Sequence, residues 1–149
     1  MSSAFQDVST RLIACLPELQ SPIEAEVAEW LPEEPGPVNL FDEVFDPFLI
    51  EALKSGRDRE ILGRAFEFLE SLATSTDDVL AELVSCPTAE SIVAEPEVLP
   101  LALELSGPRT ADCIRIVRDW KPPTFWNWLR RAASRRITNR YRRTNPDMD

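Results

Sequence analysis

At 149 residues the chain has the length of one ordinary domain, and its 44% hydrophobic and 28% charged residues belong to a sequence able to bury a core, not to a disordered one. The formal net charge is −10 and histidine is absent, which removes the commonest general base, the usual serine and cysteine triads and the commonest zinc ligand. Cys15, Cys86 and Cys113 are far apart, show no C-x-x-C spacing and suit free buried thiols in a reducing cytoplasm better than a disulfide framework.

In chain order, Leu12, Ile13, Cys15, Leu16 and Leu19 follow a helical stripe that Pro17 interrupts, so a first helix should end near Leu16. Ser21-Pro22-Ile23-Glu24 combines an N-cap, a first-turn proline and a capping-box Glu, and predicts a short second helix that ends before Pro32. Glu33-Glu34-Pro35-Gly36-Pro37 reads as an exposed loop with its acids in water. Phe41, Val44, Phe45, Phe48, Leu49 and Leu53 then give one or two helical pieces, with Pro47 at a helix start and Gly56 as the stop.

Asp58 opens the clearest helix, in which Ile61, Leu62, Ala65, Phe66, Leu69 and Leu72 repeat at buried-stripe spacing. Ser75-Thr76-Asp77-Asp78 starts another, carrying Val79, Leu80, Leu83 and Val84 to a stop at Pro87. A further helix is expected from Pro96 or Glu97 to Leu105, and a last one capped by Thr110 and carrying Cys113, Ile114 and Val117 to Trp120. No segment alternates with period two. The fold class expected is all-α, a compact multi-helix array that is either a short solenoid of HEAT or armadillo type or an irregular bundle.

Charge divides the chain. Residues 1–120 hold 8 basic and 24 acidic side chains, a net −16, whereas residues 121–149 hold 8 basic and 2 acidic ones, a net +6. Two organisational parts are therefore expected, an acidic helical domain over 1–121 and a basic C-terminal helix or tail over 122–149, docked on that same domain. Leu12 to Leu53 contains ten acids without one Lys or Arg, and Ala65 to Pro108 contains nine. Soluble surfaces ordinarily intersperse the two signs, so these windows read either as a solvated face or as a surface complementary to a basic partner. The candidate partner-binding residues are Glu24, Glu29, Glu33, Glu34, Asp42, Glu43 and Asp46, with Trp30 as an aromatic anchor or, alternatively, a core residue.

The basic segment offers a different site. Arg130, Arg131, Arg135, Arg136 and Arg140 follow Phe125, Trp126 and Trp128, a mixture able to neutralise phosphates and stack on bases. The −16 of the remainder disfavours a polyanion there within a Debye length, and the same arginines could instead compensate the chain's own acids. Glycine occurs four times and never in a phosphate-cradling pattern. No catalytic residue, metal ligand or cofactor is expected, and neither is a membrane span or a leader; the expected location is cytoplasmic.

Phe45 to Pro100 resembles a small bacterial family of unknown biochemical activity, through Phe68-Leu69-Glu70, the acidic cap Asp77-Asp78 and Ala81-Glu82-Leu83-Val84. Members of this kind are similar to immunity proteins encoded beside polymorphic toxins. The resemblance implies a non-enzymatic protein that binds a cognate toxin with a basic surface and occludes its active or substrate-binding site. The alternative is a nucleic-acid-binding or regulatory adaptor working through the arginine segment.

Overall fold

A computed structural model of the chain describes residues 2–120. They form α1 (Ala4–Cys15), a 3-10 turn (Pro17–Leu19), α2 (Gln20–Trp30), α3 (Pro37–Leu40), α4 (Asp46–Ser55), α5 (Arg59–Ala73), α6 (Asp78–Leu83), α7 (Glu90–Val93), α8 (Leu99–Leu105) and α9 (Pro108–Trp120). No strand occurs among the described residues. The class is all-α, as the periodicity predicts.

The core is built around α5, which packs against α1, α4, α6 and α8. A central helix touched on several sides is a bundle-like arrangement; in a solenoid each repeat meets only its neighbours. This explains why α5 buries Phe68 in addition to Leu62, Ala65, Phe66, Leu69 and Leu72. Its apolar face is wider than the single stripe read from the sequence. Phe68 joins two rings from the segment before α4. The Phe45 ring meets Phe41 edge-on at 5.2 Å and Phe68 edge-on at 5.6 Å, while Phe41 stacks on Phe68 at 6.2 Å.

Prolines shape the path in ways that simple helix stops do not describe. Pro17 opens a 3-10 turn that runs directly into α2, so Ser21 and Pro22 fall inside its first turn and the expected Ser21–Glu24 capping box does not form. Pro22 is tolerated there because a first-turn N–H has no intrahelical partner to lose. Pro47 does stand in the first turn of α4, as expected, but α4 follows the preceding helical turn without a gap. Residues Phe41–Phe45 form a π-turn between α3 and α4, in which the Asp46 N–H bonds the Phe41 carbonyl. In a regular helix the Pro47 ring would collide with the carbonyl four residues back, and the wider turn moves it aside. After α6, Cys86 adopts an extended conformation (φ −141°, ψ 110°) before the buried Pro87. Cys86 itself is exposed, contrary to the expectation of three buried thiols.

Local caps follow the sequence where the partner is near in the chain. Asp58 Oδ1 accepts from the Ile61 N–H at 3.0 Å and Asp77 Oδ1 from the Val79 N–H at 3.0 Å, each at a helix start. Gly56, with φ +61°, closes α4 in the left-handed conformation.

Two carboxylates join distant elements. Glu18 takes a forked pair of bonds from Arg64, at 2.7 and 3.2 Å, and Arg64 also bonds the last carbonyl of α1, that of Cys15, at 3.0 Å. Glu70 accepts from the Arg109 and Thr110 N–H groups at 3.0 and 2.9 Å and from the Thr110 hydroxyl at 2.8 Å. The expected cap of the last helix is thereby corrected. α9 starts at Pro108, Thr110 is buried in its first turn, and the capping carboxylate comes from α5.

Both carboxyls are held below their ordinary value of about 4.5. The Arg64 hydrogen bonds lower Glu18; at Glu70 burial pushes upward but is outweighed by the bonds from Thr110 and Arg109. A depressed carboxyl contributes stability that is fully present above its unfolded value and is lost as pH falls through its folded value. The double variant Glu18→Gln/Glu70→Gln should therefore be less stable than the parent at pH 7 and converge on it in acid. Urea midpoints at pH 7 and at successive values below 4.5 measure this, and a constant difference across that range would contradict it.

Candidate acidic binding surface

The predicted site residues separate into three layers. Glu24 and Glu29 on α2 and Glu33 and Glu34 in the following loop are exposed. They project outward because α2 turns Ile23 and Glu26 to the core, and because Pro32 and Pro35 keep the chain from continuing as helix until Pro37 opens α3. Gln20 Nε2 donates to Glu24 at 3.1 Å, and Glu34 accepts from the Ser3 hydroxyl and, at 3.4 Å, from Gln6 Nε2. The last contacts pin the loop to the capping box of α1.

Trp30, Asp42 and Glu43 are half-buried. The Trp30 indole N–H donates to Glu26 Oε1 at 2.8 Å, one helical turn back, and Glu26 is only 4% exposed. Trp30 is thus neither a free surface ring nor a wholly internal one. Its polar edge is fixed and part of its face remains accessible, the form an anchor takes at an interface. Asp42 and Glu43 sit on the π-turn, which packs against α2 and so carries the acidic window on from that helix.

Asp46 is different. It is 3% exposed and accepts from the Thr88 hydroxyl at 2.7 Å and the Ser91 hydroxyl at 3.0 Å. This carboxylate fastens the start of α4 to the segment around Pro87 and is not on the surface with the others. Sequence reasoning also passed over Glu26 and Glu90, both buried. The i, i+4 spacing of Glu26 and Trp30 was the available signal for the first. For Glu90, which receives a weak bond from the Cys86 thiol at 3.6 Å, no local pattern distinguishes it from a surface acid.

Ion pairs among the described residues join Lys54 to Glu95, Arg59 to Glu104, Arg64 to Glu18 and Glu60, and Arg115 to Asp112. Within the base-free window, Glu18 is thus met by a base from α5. Among the described residues, no group of three or more Cys, Asp or Glu is placed to hold a metal ion, and no helix is long and apolar enough to cross a membrane. The alternative basic site, Arg130, Arg131, Arg135, Arg136 and Arg140, lies outside the described residues.

Residues 9–118 match the family model described as a domain of unknown function, DUF7674. The chain belongs to that family. The match to DUF7674 begins in α1 and ends in α9, so it takes in the whole acidic window and both long-range carboxylate links, and it stops short of the arginine segment. No curated protein and no solved structure matches the chain.

Proposed function

We propose that this DUF7674 protein is a non-catalytic, immunity-type inhibitor that acts in the cytoplasm by binding one cognate bacterial toxin domain and occluding its active or substrate-binding site. The observation carrying this reading is the exposed rim of Glu24, Glu29, Glu33 and Glu34, set in a stretch from residue 12 to 53 without Lys or Arg. A surface of one sign raises the rate of encounter with an opposite one and repels wrong partners. Carboxylates arrayed along a helix and loop also present to a basic active site the charge of a polyanionic substrate. Trp30, its indole fixed by Glu26, supplies the apolar contact such an interface needs beside its charges.

The test uses the full chain and a toxin domain encoded beside its gene. Co-expression with the unaltered chain should protect the host, and the variant Glu24→Lys/Glu29→Lys/Glu33→Lys/Glu34→Lys, checked for helicity by circular dichroism, should not. With purified components at low salt, association should slow by about tenfold or more and lose most of its salt dependence. Equal rates for parent and variant would overturn the acidic rim as the binding site. Failure of the unaltered chain to protect would overturn the immunity reading itself.

A further inference from the structure

The last described helix is fastened differently from the others. α9 has 13 residues, yet among the described residues it is the one helix longer than ten residues without extensive packing against another described element. Its buried side chains are Thr110, Ala111, Ile114 and Val117, a narrow stripe with only two sizeable apolar groups. Ile116 and Trp120 on its other side are 59% and 80% exposed. Burial alone therefore gives α9 a small hold.

Its N-terminus compensates. Two backbone N–H groups that have no intrahelical acceptor, those of Arg109 and Thr110, donate to the two oxygens of Glu70, and the Thr110 hydroxyl adds a third bond. The fit is close. A Cβ on Gly107 would lie 2.4 Å from the Glu70 carboxyl carbon, so a side chain there would push Glu70 out of the position in which it makes these bonds. Charge-assisted bonds at a partly buried site are stronger than neutral ones, and here they converge on one residue of the central helix.

We infer that α9 is a strap that opens from α5 as a unit while the remaining helices stay folded, with Gly107 at its hinge and Glu70 as its latch. Opening separates the Arg109 and Thr110 amides from Glu70, uncovers the seat of Ile114 and Val117, and leaves the Phe41–Phe45–Phe68 cluster intact. This inference is independent of the inhibitor reading, because none of the latch residues belongs to the acidic rim. Native-state opening of such units is read by amide hydrogen exchange.

The experiment is exchange detected by mass spectrometry on the full chain, comparing peptides covering 111–118 with peptides covering 62–72. In the parent, the α9 amides should exchange faster than the α5 amides and with a weaker dependence on low urea. In Glu70→Gln, which keeps the shape but removes the charge, exchange over 111–118 should rise by about tenfold or more while 62–72 changes far less. Identical urea dependence of the two peptides in the parent would overturn the strap even if the variant fails to fold. A folded Glu70→Gln protein with unchanged α9 exchange would overturn the latch.

Discussion

Phe45→Ala should cost about 3–5 kcal/mol, the range for a large aromatic removed from a core that collapses only partly around the gap. Phe45 is fully buried and is the ring that both Phe41 and Phe68 meet edge-on, so its loss unmakes two aromatic contacts and leaves the stacked Phe41–Phe68 pair beside an empty volume. Single domains have total stabilities of about 5–15 kcal/mol, so the variant should be marginal and its thermal midpoint lower by on the order of 10–20 °C. Phe45→Leu refills most of the volume and should recover more than half of the loss. Urea unfolding of both variants measures the difference. A loss below about 1 kcal/mol for the alanine variant would mean that the cluster is not the centre of the core.

That centre was largely legible. Phe41, Phe45, Leu62, Phe66 and Leu69 all fall on helical spacings, and each is buried. What periodicity could not show is how two of those segments meet. It assumes 3.6 residues per turn, whereas the Phe41–Phe45 segment adopts the wider π-turn to make room for Pro47. The widened turn places Phe41 and Phe45 together against Phe68, which lies off the stripe expected for α5. Caps followed the same division. Asp58 and Asp77 act on amides two or three residues away and could be read directly. Glu70 caps a helix that begins 38 residues later, and only the fold brings the two together.

The acidic window was legible as charge and only partly as surface. Glu33 and Glu34 are exposed in a loop that the prolines keep from being helix, although Pro35 beside them is buried. For the acids on helices, charge is a poor guide to burial when a distant hydroxyl or indole can satisfy the carboxylate. Glu26 has its satisfying group one turn away. Asp46 has its own on another segment, 42 and 45 residues further along.

Asp46→Ala should therefore reduce stability by about 2–3 kcal/mol, mainly through the group it leaves behind. Thr88 is 1% exposed and donates to Asp46 Oδ1, whereas the Ser91 hydroxyl also lies 3.1 Å from the Pro87 carbonyl and keeps an acceptor when Asp46 is removed. The stranded donor is Thr88. Removing it as well, in Asp46→Ala/Thr88→Val, should restore part of the loss, because replacing both partners by apolar groups spares the cost of an unsatisfied one. Non-additivity of about 1 kcal/mol or more in urea unfolding of the two single variants and the double variant is the expected sign. The cycle also separates the fold from the site. On the proposed inhibitor reading, a buried strut should change stability without changing toxin association once the variant is folded, while charge reversal at Glu24 and Glu29 should change association with little effect on stability. Strict additivity, with unaltered stability in Asp46→Ala, would overturn the strut role and leave Asp46 among the candidates for the proposed binding surface.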